Sequence, residues 1–236
     1  MGLRPENVEP LLRGRFGRPY VWVDECGSTQ ELARPLPAGG VAATDLQRRG
    51  RGRRGRRWEA PAGTALLFSL ALEPHTPVDL LPAFSLVAAE AVAVAVDPRA
   101  AVRWPNDVVI DGRKLAGVLP ELRGGKLVVG VGINATMTAG QLPAQARVPP
   151  TSLVLEGHDA VDRAALLADV LAELERRYDE FERDGFTGLA RDELHGRRVT
   201  LTGLASGHSD GVDGQGRLIV DGRPYTSAEV ERVEAD

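Results

Sequence analysis

Seven arginines, interleaved with glycines, stand in QRRGRGRRGRRW (47–58) of this 236-residue chain, whose formal net charge is −4. Guanidinium groups bind phosphate oxygens through paired hydrogen bonds, and glycines let backbone N–H groups approach an anion. Because like charges repel, such a loop is expected to be poorly ordered until a polyanion compensates it and the loop closes over the ligand. The segment therefore predicts a loop that binds the phosphates of a nucleotide.

Three other interpretations of the arginine loop stay open beside this one. GRGRRG (50–55) matches the dinucleotide fingerprint G-x-G-x-x-G, but that fingerprint opens a helix and the residues that follow here do not start one. Arginine-glycine segments also bind single-stranded RNA, although they usually recur in disordered tails. The third interpretation is a solvated loop without a ligand, which Trp58 and the apolar stretch after it disfavour.

A second polar cluster lies in RWPND (103–107) and GRKLAG (112–117). Asn106 and Asp107 carry oxygens that suit a polar ligand or Mg²⁺, although an Asn-Asp pair before a strand is most often a turn. Lysine is rare in this chain: of its 29 lysine and arginine residues, only Lys114 and Lys126 are lysines. Lys114 inside such a motif therefore indicates chemistry that arginine cannot perform.

Strands and helices that would position these residues can be placed from the pattern of apolar positions. Strands are predicted in 20–27, 39–47, 63–73 and 126–136, and a pair within 101–122 joined at Asp111–Gly112. Helices are predicted after Ser28, over 78–96 and over 161–183. Ser28 stands three residues before Glu31, which is the spacing of a capping box. Glycines within VVGVGIN (128–134) indicate either the close approach of a ligand or a bulge.

The character of the sequence changes near residue 191. Short strands are predicted at 197–203, 214–226 and 229–234, separated by glycine turns and without another long helix. We therefore expect a large domain at 1–190 and a small β-domain at 191–236. So short a second domain is expected to dock on the first, because it is too small for a large core of its own.

Composition excludes several classes of protein. A sequence pI of about 5.7 does not suit a general nucleic-acid binder. The single Cys26 excludes an internal disulfide, and the four histidines are scattered without zinc-ligand spacing. The most apolar stretch, LVAAEAVAVAV (86–96), is too short to span a bilayer, which takes about 20 residues, and no signal peptide precedes it. We expect a cytoplasmic protein.

Taken together, GRGRRGRRW, RWPNDVVIDGRKLAG and VGVGIN closely resemble, in that order, the biotin protein ligases, also called biotin–[acetyl-CoA carboxylase] ligases. The resemblance covers about Val21 to Val233. It implies an α+β fold, in which a class II synthetase-like catalytic domain with a mixed sheet flanked by helices precedes a small SH3-like β-barrel.

The resemblance also implies two half-reactions. ATP, with Mg²⁺, converts biotin into biotinyl-5′-AMP, and a lysine of a biotin carboxyl carrier domain then takes the biotin. About twenty residues precede the first motif, too few for the DNA-binding domain of the repressor members, so we do not expect DNA as a partner. A membrane partner is not expected either, because no stretch is apolar over a sufficient length. A homodimer stays open. So do two alternatives, a lipoate–protein ligase and a non-catalytic module that binds biotin or RNA.

Roles for individual residues follow from the resemblance. Lys114 and Arg53 would be catalytic, and Asp107 would contact the metal. The residues implied to bind biotin are Ser28, Thr29, Gln30, Gln47, Gly50, Arg51, Gly52, Arg53, Lys114, Gly117, Gly130 and Gly132. Those implied to bind ATP or the adenylate are Arg51, Arg53, Arg56, Trp58, Asn106, Lys114 and Asn134. Gln30 departs from the family, which usually has asparagine there, and Arg48 and Arg49 replace neutral residues.

Overall fold

A computed structural model describes residues 2–235 of the chain. The helices are α1 (Pro5–Val8), α2 (Thr29–Ala33), α3 (Phe84–Val96) and α4 (Arg163–Asp184). The strands are β1 (Tyr20–Cys26), β2 (Val41–Gln47), β3 (Ala65–Leu72), β4 (Ala101–Arg103), β5 (Asp107–Ile110), β6 (Arg113–Arg123), β7 (Lys126–Asn134), β8 (Arg198–Leu201), β9 (Ala205–Val212), β10 (Leu218–Val220), β11 (Arg223–Tyr225) and β12 (Val233–Ala235).

Two sheets organise the molecule. The larger has seven strands in the order β1-β2-β3-β7-β6-β5-β4, and it is mixed because β1 and β2 run parallel while the other pairs are antiparallel. The smaller is antiparallel, with the order β11-β10-β9-β8-β12. The expected α+β fold with a mixed sheet, flanking helices and a small C-terminal β unit is confirmed. Closure of the second sheet into an SH3-like barrel, and the boundary at residue 191, stay predictions.

The seven-stranded sheet has two different faces. Its main hydrophobic core includes three alternate residues of β7, namely Val129, Val131 and Ile133. Val128 belongs to a separate small cluster with Ala33 of α2 and Ala42 of β2. Because side chains alternate along a strand, Gly130, Gly132 and Asn134 lie on the same face as Val128. One face of β7 is therefore packed, and the other carries two glycines and an amide.

Helix α4 follows the predicted apolar period closely. Its buried residues include Leu167, Val170, Leu171, Leu174, Tyr178 and Phe181. Asp162 caps its N-terminus by accepting hydrogen bonds from Ala164 N–H, at 2.9 Å, and Ala165 N–H, at 3.2 Å. The helix predicted over 161–183 is thus confirmed, with bounds shifted by one or two residues.

The prediction of a helix over 78–96 is wrong in its first part. A 3₁₀ turn occupies Leu81–Ala83, and α3 begins only at Phe84. Pro82 explains the difference, because proline lacks the N–H that a helix interior requires and its ring clashes with the preceding turn.

The capping box predicted at Ser28 is also wrong, although α2 does begin at the next residue. Within residues 2–235, the Ser28 side chain makes no capping hydrogen bond. Glu31, its expected partner, instead accepts a hydrogen bond of 2.6 Å from Arg51. A guanidinium brought in from the arginine loop therefore takes the carboxylate that the local pattern assigned to the cap.

Two stretches contain more strands than the sequence pattern indicated. Residues 101–122 hold three strands, because a turn at 104–106 precedes the predicted hairpin at Asp111–Gly112, whose two residues both have positive φ. The C-terminal unit has five strands where three were predicted. The missed strand is β9, ASGHSDGV, and the run 214–226 is divided by a turn at 221–222.

Hydrogen bonds join the C-terminal unit to the rest of the chain. Trp104 Nε1 donates to the carbonyl of Gly216 at 2.9 Å, and Val102 N–H donates to Arg191 O at 2.7 Å. The buried Glu90 of α3 accepts from Arg191 N–H at 3.0 Å and from the Arg177 guanidinium of α4. The expected docking of the two units is therefore present. In the described part of the chain, no helix combines the length and apolarity needed to cross a membrane.

Candidate active site

A narrow slot lies on the α2 face of the large sheet. A Cβ at Gly132 would stand 2.5 Å from Trp58 Cε2, and one at Gly117 would stand 3.1 Å from Trp58 Cζ3. Contacts under about 3 Å do not occur for real side chains, so the indole occupies space that only glycine leaves free. The strand glycines noted in the sequence thus mark a close approach, and the group that approaches here is Trp58.

Gln30 covers the next glycine along β7. Its Nε2 lies 2.7 Å from where a Cβ of Gly130 would stand and donates to Leu119 O at 2.8 Å. Among residues 2–235, neither the buried Gln30 Oε1 nor the buried Trp58 Nε1 has a hydrogen-bond partner. A buried polar atom left unpaired costs about 1–3 kcal/mol. Gln30 Oε1 is therefore an available acceptor and Trp58 Nε1 an available donor for complementary groups of a ligand.

The slot brings together most of the residues assigned to biotin. Its remaining volume is only 40 Å³ because the side chains of Trp58 and Gln30 fill much of it. Gln47 Oε1 accepts from Thr29 N–H at 2.9 Å, and the Thr29 hydroxyl meets Ser69 Oγ at 2.7 Å. The lining residues include Ser28, Thr29, Gln30, Gln47, Arg51, Gly52, Trp58, Gly117, Gly130 and Gly132.

A larger cavity of 370 Å³ opens beside the slot. Lys114 Nζ lies on its wall, 2.6 Å from Asp107 Oδ1 and 5.6 Å from the centroid of the Trp58 ring. The cavity is lined by Gly52, Arg53, Arg56, Trp58, Asp107, Lys114 and Asn134, together with part of the segment 143–150. Slot and cavity share Trp58 and Gly52, so one bound molecule can extend from the first into the second.

Asn106 faces a third, smaller cavity of 60 Å³ between the two sheets. Arg53, Arg56 and Asp107 line this cavity as well as the larger one. The side chain of Asn106 is committed to the fold, because its Nδ2 donates to Val118 O at 2.6 Å. Gly50 lies behind the slot, where its carbonyl accepts a hydrogen bond of 3.1 Å from Trp58 N–H.

Protein acceptors compensate much of the charge in the arginine loop. Arg48 is paired with Glu25, and Arg51 with Glu31 and Glu121. Arg53 and Arg54 donate to carbonyl oxygens of residues 227–230 in the C-terminal unit. Compensation by a bound polyanion alone was expected, whereas the protein itself supplies a large part of it.

Arg53 differs from its neighbours in its electrostatic surroundings. Burial lowers the pKa of its guanidinium, and the nearby Arg54 and Arg56 lower it further. An arginine stays protonated even so, and the direction of the pKa change shows that the positive charge is under-compensated. An anion entering the cavity would relieve this cost.

Sequence reasoning missed several residues of the site. Glu31 and Glu121 hold Arg51 in place, and both are distant from it along the chain. The cavity wall also contains Pro143, Gln145, Ala146, Arg147, Val148 and Pro150. This segment has no apolar period and no recognisable motif, so nothing in its sequence marked it as part of a site.

The residues of the site fit a magnesium ion only if a nucleotide brings it. Among residues 2–235, no group of three or more His, Cys, Asp or Glu side chains could hold a metal. Asp107 contributes one carboxylate to the wall of both the larger cavity and the third cavity. Mg²⁺ commonly uses one or two protein carboxylates, with phosphate oxygens and water as its other ligands.

Comparison with known proteins supports one assignment. Residues 27–137 match the model of the biotin/lipoate A/B protein ligase family. A biotin–[acetyl-CoA-carboxylase] ligase from Mycobacterium tuberculosis is 36% identical over an alignment of 248 positions, gaps included. The alignment covers 93% of this chain and 91% of that protein. A ligase of the same name from Paracoccus denitrificans is 36% identical over 195 residues, covering 73% of this chain and 80% of that protein.

Solved structures agree with the sequence relatives. A biotin protein ligase from Aquifex aeolicus in complex with biotin and ATP superposes with a TM-score of 0.77 at 27% identity, over 92% of this chain and 98% of that one. The shared fold therefore includes both sheets. Identity of 36% along nearly the whole of both chains, on this common fold, establishes that the chain belongs to the biotin protein ligase family.

Proposed function

We propose that this protein activates biotin with ATP to biotinyl-5′-AMP and transfers the biotin to a lysine of a biotin carboxyl carrier domain. The observation that carries the proposal is the place of Lys114. Its Nζ lies 3.4 Å from where a Cβ of Gly117 would stand, at the wall of the slot, and the same side chain lines the larger cavity. A ligand seated in both spaces would have its junction at this ammonium group.

The first half-reaction joins biotin to AMP. A carboxylate oxygen of biotin forms a bond to the α-phosphorus of ATP, the α–β phosphoanhydride bond breaks, and pyrophosphate leaves. Phosphoryl transfer depends mainly on positioning and on compensation of charge. Lys114 and Arg53 would stabilise the charge that develops at the α-phosphate. Arg56, Trp58 and Asn134 would hold the nucleotide from the larger cavity, and Asn106 would contact it through Oδ1 from the third cavity.

In the second half-reaction, the neutral amine of the acceptor lysine attacks the acyl carbonyl of biotinyl-AMP. A C–N bond forms, the bond between the acyl carbon and the phosphate oxygen breaks, AMP leaves, and the amine loses a proton. A mixed anhydride hydrolyses if water reaches it, so exclusion of water is part of the function. The arginine loop, with its contacts to the C-terminal unit, would close over the adenylate.

Asp107 would hold the magnesium ion that accompanies ATP. When bound, Mg²⁺ neutralises charge on the phosphate oxygens. Asp107 is already paired with Lys114 at 2.6 Å, so binding of the metal and release of the lysine toward the substrate would be linked.

The partner in this proposal is a carrier domain of a biotin-dependent carboxylase, and the enzyme would act in the cytoplasm without binding DNA. A homodimer would be compatible with catalysis, since the slot and both cavities are built from residues of one chain.

Pyrophosphate release from Mg-ATP, measured with biotin, with lipoate and with neither, tests the proposal. We expect release that requires biotin, followed by labelling of a carrier domain. Release with lipoate alone would assign the chain to lipoate ligation. If neither acid supports release, the proposed activity is wrong.

A further inference from the structure

A short segment without helix or strand braces the backbone at Lys114. Lys114 N–H donates to Pro149 O at 2.7 Å, and Thr151 N–H donates to Lys114 O at 2.8 Å. Pro150 faces Lys114 across this bridge. On its other side, Lys114 pairs with Val109 next to an irregularity in the β5–β6 register. The ladder is locally disrupted there, so segment 149–151 supplies support that regular pairing does not.

The same segment also holds Asn134. Its Nδ2 donates to Thr151 O at 2.8 Å, and its carbonyl accepts from Leu153 N–H at 3.0 Å. The Thr151 residue therefore contacts Lys114 through its N–H group and Asn134 through its carbonyl. These are two of the residues proposed to surround the adenylate, and they lie on different strands, β6 and β7.

A buried carboxylate fixes Thr151 in turn. The Thr151 hydroxyl donates to Glu156 Oε1, and Arg113 Nη2 donates to Glu156 Oε2 at 3.0 Å. Thr151 is 1% exposed and Glu156 is 9% exposed. Arg113 directly precedes Lys114 in β6, so Glu156 holds the lysine strand both through its neighbour and through Thr151. Hydrogen bonds to an ionised acceptor are shorter and stronger than neutral ones.

We propose that Thr151 and Glu156 are positioning residues for adenylate formation, which set the relative placement of Lys114 and Asn134. The inference rests on the proposed function of the site. Neither residue lines the slot or the larger cavity as Lys114 and Asn134 do, so each acts through them. Misplacement of a reacting group by about 1 Å can lower a rate by about 100-fold.

Three substitutions and one matched control test the inference. Thr151→Val removes the hydroxyl and keeps the branched shape, Thr151→Ser restores the hydroxyl, and Glu156→Gln removes the charge. Ser152→Ala is the control, because Ser152 is equally buried and donates a hydrogen bond of 2.6 Å to Met137 O, away from Lys114. Steady-state rates of biotin-dependent pyrophosphate exchange and thermal unfolding would be measured for each variant.

We expect Thr151→Val and Glu156→Gln to lower kcat about tenfold while KM for biotin stays within about twofold, because positioning and not affinity is lost. Thr151→Ser should recover most of the rate, and Ser152→Ala should keep it. If Thr151→Val and Ser152→Ala lose equal activity and equal thermal stability, the role is merely structural and the inference is overturned.

Wild-type protein separates this inference from the proposed function. Without biotin-dependent exchange in the wild type, the proposed function fails, whatever the variants do. Hydrogen exchange at the Lys114 amide measures the protection of its hydrogen bond to Pro149 O and does not depend on turnover. Faster exchange in Thr151→Val than in Ser152→Ala supports the brace, and unchanged protection at Lys114 overturns it.

Discussion

Arg53 Nη2 donates a hydrogen bond of 2.7 Å to the carbonyl of Ser227, so a side chain proposed to hold the adenylate also ties the arginine loop to the C-terminal sheet. Arg54 Nη2 adds contacts of 2.7 Å to Ala228 O and 3.2 Å to Val230 O. The proposed closure over the nucleotide and the contacts to the C-terminal unit would therefore depend on adjacent residues of one loop.

Arg54→Ala should weaken that tie while leaving the cavity walls in place. We expect biotinyl-AMP to dissociate about fivefold faster, because hydrogen bonds from a charged donor contribute about 1.5–3 kcal/mol and part of this is lost to solvent at an exposed side chain. Stopped-flow release of the adenylate measures the rate. Arg49→Ala is the control, since Arg49 contacts Glu31 and not the C-terminal unit. Equal rates in the two variants would contradict the coupling.

Lys114→Ala should lower the rate of adenylate formation by about 100-fold or more, the usual cost of removing one group that stabilises developing charge. It should also lower the melting temperature, because Asp107 loses a partner at 2.6 Å. Asp107→Asn combined with Lys114→Ala should recover stability and not activity. Near-normal turnover of Lys114→Ala at saturating biotin and ATP would contradict the catalytic role.

Gly132→Ala should destabilise the ligand-free protein more than Gly117→Ala. The new methyl group would stand 2.5 Å from the Trp58 ring in the first variant and 3.1 Å in the second. We expect the melting temperature without biotin to fall in that order, since overpacking typically costs about 1–3 kcal/mol. Both variants should also bind biotin more weakly, measured by calorimetry, because each methyl group stays in the slot after Trp58 has moved. Gly140→Ala, where a Cβ would meet no atom within 4 Å, is the control. Unchanged affinity in both variants would show that biotin does not lie against these glycines.

We expect Trp58 to move when biotin enters, because only 40 Å³ of the slot remains free beside its indole. We expect a shift in the emission of Trp58 on addition of biotin, observed in a protein that also carries Trp22→Phe and Trp104→Phe. A cavity needs about 10–15 Å³ to hold one water molecule, so the remaining space suits two or three waters and not a bicyclic ring. Unchanged emission at saturating biotin would place biotin elsewhere.

Asp97 should contribute stability that depends on pH. The Asp97 carboxylate accepts hydrogen bonds from Arg99 and one of 2.9 Å from His158 Nε2, and these hold its pKa well below the ordinary value against the opposing effect of burial. The unfolded chain therefore takes up the proton first, at about pH 3.9. This stabilisation is fully present above that pH, declines below it, and is lost only as the pH falls through the lowered pKa of the folded protein.

We expect Asp97→Asn to lower the free energy of unfolding by about 2 kcal/mol at pH 7, in line with hydrogen bonds to charged groups. The difference from wild type should shrink below about pH 4. Urea unfolding at several pH values measures it. A difference that stays the same between about pH 5 and pH 2 would mean that Asp97 acts through its shape and not its charge.

Local patterns predicted much of the fold. Three features could be predicted because each is set by residues close in sequence. They are the apolar period of α4, the hairpin at Asp111–Gly112 and the strand glycines of β7. Strand β9 was not, since ASGHSDGV contains hardly any of the branched and aromatic residues that mark strands. It forms because β8 and β10 pair with it on both sides.

The site was predictable as a set of residues and not as a set of contacts. The motifs indicated Lys114, Asp107 and the arginine loop, and the structure brings them to the larger cavity. The carbonyl acceptors for Arg53 and Arg54 lie 174 residues further along the chain, and backbone carbonyls carry no sequence signal. Long-range contacts of this kind arise only when the whole chain has folded.

The alternation along β7 places two opposite demands on nine consecutive residues. Val129, Val131 and Ile133 must be bulky, whereas Gly130 and Gly132 must be bare. A single residue inserted before this stretch, without a compensating bulge, would turn the valines into the slot and the glycines toward α3 and α4. Binding and stability would then be lost together. An insertion upstream of β7 would therefore be more damaging than a substitution at any one of its positions.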